Sequence, residues 1–205
     1  MAITSLQQLD FNLQYTYADY IRWQFKERVE LLKGWIFPMS APSPKHQEVS
    51  SNLHGFIWLY VRQKGCSVYA APFDVRLPLP SHKATDDKID TVVQPDLCVV
   101  CDLSKIKKRG CVGAPELVVE ILSPSNSKRE MRDKYELYEE AGVLEYWIVD
   151  PVYHTVWVYV AKDGRFVNAS RPLIDEDILQ SVIFPDLSIN LAEVFPPKEP
   201  EFDED

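Results

Sequence analysis

The chain has 205 residues, with 46% apolar and 26% charged positions, which is ordinary usage for one domain with a real core. No apolar run approaches the roughly 18 residues of a membrane span, and Met1-Ala-Ile-Thr-Ser lacks the basic end of a secretory leader, so neither is expected. A net charge of −9 excludes a general nucleic-acid coat, because phosphates are held by Lys and Arg, but it leaves room for a local basic patch.

The pattern predicts a loose lead-in over residues 1–16, one domain over 17–195 and a solvated acidic tail over 196–205. A helix is expected over Tyr17–Leu32, stopped by Gly34, and a short strand over Trp35-Ile-Phe37. Proline then breaks the chain. Val49, Leu53, Phe56, Ile57 and Tyr60 recur at helical spacing over 45–64, with His46 on the same stripe and Glu48 on its flank. Residues 66–77 read as one long strand carrying Asp74, and 78–90 as a polar loop.

Gln94-Pro95-Asp96 leads into a strand ending at Cys101. Residues 102–113 form a basic connection with Lys105, Lys107, Lys108 and Arg109. A second strand over 115–122 carries Glu120. Ser123–Asn126 reads as a capping turn, and a helix from near Ser127 runs to Ala141, with Gly142 after it. Residues 145–149 and 154–160 are expected to pair as a hairpin, followed by short strands.

The four cysteines are Cys66, Cys98, Cys101 and Cys111. Cys98 and Cys101 stand three apart in a strand, so their side chains point to opposite faces and neither bridge nor share a metal. All four read as small buried apolar residues in a reducing, cytoplasmic protein.

Three residues in the central stretch carry chemistry. Asp96 opens a strand after a proline, where its side chain reaches the sheet end. Glu120 is flanked by Val118, Val119, Ile121 and Leu122; a buried carboxylate needs a cation, hydrogen bonds or a raised pKa. Lys134 falls between Met131 and Tyr138 on the helix stripe that should face the sheet. Two carboxylates suit octahedral Mg²⁺ or Mn²⁺, and a nearby ammonium stabilises charge developing on phosphorus. Lys105, Lys107, Lys108, Arg109, Lys128, Arg129 and Arg132 flank the stretch and could meet phosphates; a solvated face and a structural ion network are the plainer alternatives.

Gln94-Pro-Asp-Leu-Cys-Val-Val, Ala114-Pro-Glu-Leu-Val-Val-Glu-Ile-Leu-Ser-Pro-Ser and Lys134-Tyr-x-x-Tyr followed by Ala141-Gly-Val-x-Glu-Tyr-Trp-Ile-Val-Asp-Pro resemble the Uma2 family. That family, also known as DUF820, consists of restriction-endonuclease-like proteins of the PD-(D/E)xK superfamily. The resemblance spans roughly residues 20–195. It implies an α/β fold with a mixed β-sheet core flanked by helices and extra C-terminal hairpin strands. It also implies a divalent-metal site and a homodimer. Carried over, Asp96 and Glu120 are the metal ligands. The superfamily lysine usually follows the second acid by two residues, where this chain has Leu122; Lys134 would supply the amine instead, in a spacing to Tyr138 like the Q-x-x-x-Y element of exonuclease-like relatives.

Gln94 and Tyr138 are expected to support the trio, with His46, Glu48 and Asp74 as further candidates. Pro185-Asp186 repeats the Pro-Asp pair, but no apolar strand with a second acid follows. The expected function is Mg²⁺- or Mn²⁺-dependent hydrolysis of DNA phosphodiesters. The alternatives are an inactive nuclease fold that binds a partner or regulates, and hydrolysis of a small phosphodiester.

Overall fold

The computed structural model describes residues 2–81, 85, 88–123 and 128–196, without the side chains of 128–130. The expected capping turn lies largely outside the described residues, as do the side chains of Lys128 and Arg129 and nearly all of the acidic tail.

After a single 3-10 turn at Leu6–Gln8, the described elements in chain order are a one-turn helix α1 (Tyr17–Tyr20) and strands β1 (Val29–Leu32) and β2 (Trp35–Pro38). Helix α2 (Pro44–Val61) follows, then β3 (Ser67–Ala70), β4 (Val75–Arg76), β5 (Val92–Val93) and β6 (Leu97–Val100). Next come β7 (Ile106–Lys107), β8 (Gly110–Val112), β9 (Leu117–Ile121) and helix α3 (Lys128–Ala141). The chain closes with β10 (Glu145–Asp150), β11 (Thr155–Lys162), β12 (Arg165–Asn168), β13 (Leu173–Ile174), β14 (Ile178–Gln180) and β15 (Ser188–Asn190).

The main sheet runs β12-β11-β10-β9-β6-β3, with β13 on β11. It is mixed: β9 and β10 are parallel, joined by α3, and the other pairs are antiparallel. A second sheet runs β2-β1-β5-β4-β8-β7, and β14 pairs with β15 apart from both.

Strand alternation decides what each face carries. Leu97, Val99, Leu117, Val119, Trp147 and Val149 pack with Val49, Leu53, Ile57 and Val61 of α2. Cys98, Val100, Val118, Tyr146 and Ile148 pack with Leu137 and Tyr138 of α3 and with Val75, Leu77 and Val93 of the second sheet. The main sheet is thus enclosed on both sides, which explains why its central strands are almost continuously apolar. Helix α2 forms where the sequence predicts it: the Ser43 hydroxyl accepts the His46 N–H, and Pro44 occupies the first turn.

Four sequence expectations change. Tyr17–Leu32 is not one helix. Val29–Leu32 is a strand, turned back onto Trp35–Pro38 by Lys33 (φ 51°) and Gly34 (φ 85°). Positive φ at both turn positions matches the right-handed strand twist. Tyr20, Trp23 and Phe25 instead join an aromatic cluster with Tyr15 and Tyr17. Residues 66–77 are likewise two strands in two sheets, β3 and β4, separated at Pro72. The basic connection 102–113 contains a hairpin, β7–β8.

The fourth change concerns cysteine. The register that pairs Ser67 with Val100 carries one residue further to Cys66 opposite Cys101. These two form a disulfide, with Cα atoms 4.0 Å apart. Cys98 and Cys111 remain buried thiols. The reading of all four as free thiols fails because it weighed only the pair close in sequence, whereas the bridge joins neighbouring strands.

Candidate functional site

Strands β6 and β9 run antiparallel with Leu97 opposite Val119. One residue further, the same register sets Asp96 opposite Glu120. Both acids fall on the strand face that carries Cys98 and Val118, toward α3. Directly opposed residues hold their Cβ atoms about 5 Å apart, and like charges there are destabilising. The two carboxylates are therefore held close by the backbone.

Two side chains donate to Glu120. Tyr138 donates its hydroxyl to Glu120 Oε1 at 2.6 Å. Lys134, one helical turn before Tyr138, donates to the same oxygen at 3.1 Å. The Lys134 ammonium also lies 3.0 Å from Glu30 Oε2 and 3.2 Å from Oε1. Glu30 sits on β1 and is 1% exposed; its Oε1 accepts the Gln94 backbone N–H at 2.8 Å. Asp96 Oδ2 accepts the Ile121 backbone N–H at 2.7 Å and faces His46 Nε2 at 3.2 Å.

Arg28, Glu30, His46, Gln94, Asp96, Glu120 and Lys134 line one cavity of about 210 Å³, between β2, the start of α2 and the open ends of β6 and β9. Burial pushes the Glu120 carboxyl up to about 7; Lys134 and Tyr138 pull it down, and the charges of Asp96 and Glu30 push it up. Burial works against the Lys134 ammonium, but Glu120 and Glu30 outweigh it and hold it well above the ordinary lysine value. Lys134 is thus a fixed positive charge rather than a proton acceptor. Burial lowers the His46 pKa, yet its hydrogen bond and charge contact with Asp96 leave it raised.

The structure brings Asp96, Glu120, Lys134, Gln94, Tyr138 and His46 together. Asp74 stands one step behind: its Oδ1 accepts from Gln94 Nε2 at 2.9 Å and from the Tyr20 hydroxyl at 3.2 Å. Glu48 is exposed and points to solvent, because it falls on the opposite face of α2 from His46 and Val49. The acid that sequence reasoning missed is Glu30. It carries the same signal as Glu120, an acid inside an apolar run, but the helical reading of that segment hid it. Of the flanking cations, Lys105 is committed to Glu116 at 2.6 Å and to the Ala114 carbonyl at 2.8 Å. Lys107 donates to the Ser104 carbonyl, and the β7–β8 hairpin occupies the sheet edge opposite β2.

Among the described residues, no three His, Cys, Asp or Glu side chains gather tightly enough to cage an ion. The opposed pair Asp96 and Glu120 nonetheless fits a hard divalent cation that keeps several waters, since Mg²⁺ is usually bound through one or two carboxylates plus substrate oxygens. Burial is the main cause of the raised Glu120 pKa; the charges of Asp96 and Glu30 add to it, and that added part is what such an ion would offset.

A family model described as "Uma2: Putative restriction endonuclease" matches residues 17–192. The chain belongs to the Uma2 family. A crystal structure described as a putative nuclease belonging to DUF820, from Anabaena variabilis, superposes with a TM-score of 0.66 at 18% identity, covering 88% of this chain and 97% of that one. That likeness shows a shared mixed α/β fold. An uncharacterized protein of Synechocystis sp. is 23% identical over 133 residues, 64% of this chain. The match spans 65% of that relative, just under two thirds of its length. Among the described residues of this Uma2 protein, no helix is long and apolar enough to cross a membrane.

Proposed function

We propose that this Uma2 protein hydrolyses phosphodiester bonds of DNA with the help of Mg²⁺ or Mn²⁺ held by Asp96 and Glu120. The observation that carries the reading is the pairing of those two acids across β6–β9, with the Lys134 ammonium 3.1 Å from Glu120. The bound cation would polarise a phosphoryl oxygen and lower the pKa of water. The chain's own residues do the rest. Lys134, charged and immobilised by Glu30, stabilises negative charge gathering on the phosphoryl group. Tyr138 fixes the Glu120 carboxylate through its hydroxyl. His46 and the Ile121 N–H orient Asp96. Gln94 holds Glu30 through its backbone N–H.

One observation favours the second reading, a partner-binding module with an inert ion network: both acids flanking Lys134 already engage its ammonium. Nicking of supercoiled plasmid separates the two. The nuclease reading predicts nicking in Mg²⁺ or Mn²⁺ that stops in EDTA and falls by about a hundredfold or more in Glu120→Gln. An absence of cutting on any DNA or RNA form supports the module, and cleavage of small phosphodiesters alone supports the third reading.

A further inference from the structure

We infer that Arg28 is the phosphate clamp of this cavity, gripping a non-bridging oxygen of the nucleic-acid backbone beside the acid pair. The inference rests on the nuclease reading and deepens it.

The cavity is lined by two permanently charged cations, Lys134 and Arg28. Lys134 is ion-paired with Glu30 and Glu120. Arg28 is different. Among the described residues its guanidinium makes no ion pair, and its one side-chain hydrogen bond runs from Nε to Gln94 Oε1 at 3.0 Å. Its Nη2 is buried and unpartnered. A buried guanidinium N–H without an acceptor is costly, and the cost is relieved when a ligand oxygen arrives.

The backbone sets its direction. The Met39 N–H bonds to the Arg28 carbonyl at 2.9 Å, which extends the β1–β2 ladder by one step. Residues two apart on a strand share a face, so Arg28 points the same way as Glu30, about 6.6 Å along the strand. Gln94 anchors both: its backbone N–H holds Glu30 and its side-chain carbonyl holds Arg28. The Gln94 amide is fixed in turn by the Tyr20 hydroxyl at 3.0 Å and Asp74 at 2.9 Å. That chain explains the use of an otherwise remote set of polar groups. It presents a planar guanidinium in one orientation, and a guanidinium fork matches phosphate oxygens better than an ammonium does. It also places the needed positive charge inside the cavity of a strongly acidic protein, whose basic hairpin lies at the far sheet edge.

The test measures binding of a short fluorescein-labelled single-stranded oligodeoxynucleotide by anisotropy, with Ca²⁺ in place of Mg²⁺, over a salt titration. Arg28→Met should weaken binding about tenfold for unrelated sequences alike and remove about 0.7 from the slope of log K against log salt, the loss of one phosphate contact. Arg28→Lys should restore the slope without the full affinity. Wild-type affinity and slope in Arg28→Met overturn the inference while leaving the nuclease reading intact. No binding by wild type overturns both. If Arg28→Met does not fold, Arg28→Lys decides: affinity below wild type supports the fork, and equal affinity overturns it.

Discussion

Glu30 and Lys134 meet at 3.0 Å although 104 positions separate them. The contact joins the second sheet to α3 and completes the acidic side of the cavity. Glu30→Gln keeps an acceptor for the Gln94 N–H but removes the charge that fixes the ammonium. The variant should fold, and its plasmid-nicking rate should fall about tenfold to a hundredfold as Lys134 loses its orientation. Circular dichroism with single-turnover nicking checks both halves.

Glu145 supports structure rather than chemistry. It is fully buried and accepts from Trp147 Nε1, the Ser181 hydroxyl and the backbone N–H groups of Val182 and Ile183 at 2.6–3.0 Å. Glu145→Ala strands all four donors. Each orphaned buried group costs about 1–3 kcal/mol, so stability in urea should drop by at least about 3 kcal/mol.

The Cys66–Cys101 bridge closes a loop with a sequence separation of 35. Constraint of the unfolded chain by a loop of that size is worth about 4 kcal/mol. Cys66→Ser, or added reductant, should therefore lower the thermal midpoint by several degrees. Thiol labelling of the denatured, unreduced protein should count two cysteines.

Glu139 gives a pH signature away from the cavity. The Phe166 N–H at 2.6 Å, followed by the Arg165 guanidinium at 2.8 Å, holds its carboxyl below the ordinary value. A depressed folded pKa adds stability that is fully present above the unfolded value and is lost as pH falls through the folded one. The melting temperature of Glu139→Gln should therefore lie below that of wild type at pH above about 5, with the gap closing in more acid solution. A pH series of thermal melts reads this directly.

Much of the site was legible because its signals are local. An acid after Pro95, an acid inside an apolar strand and a lysine on a helix stripe each stand out in a short window. The antiparallel register that sets Asp96 against Glu120 is not local, and neither is the strand pairing that joins Cys66 to Cys101. Glu30 was lost for a different reason: the aromatic and charged residues of 17–28 imitate an amphipathic helix, and tertiary packing of Tyr20, Trp23 and Phe25 overrides that propensity. The Lys33-Gly34 pair between two apolar runs was the overlooked hairpin signal. For the fold, the strongly apolar strands and α2 could be read directly, whereas the division into two sheets at Pro72 depended on contacts far apart in the chain.

A crystal soaked in Mn²⁺, examined by anomalous scattering, decides whether Asp96 and Glu120 hold a metal ion. The predicted result is one anomalous peak between the carboxylates of Asp96 and Glu120, within about 2.2 Å of an oxygen from each, and absent from crystals of Glu120→Gln. A cavity without that peak at saturating Mn²⁺, with Lys134 still clasped by Glu30 and Glu120, would contradict it.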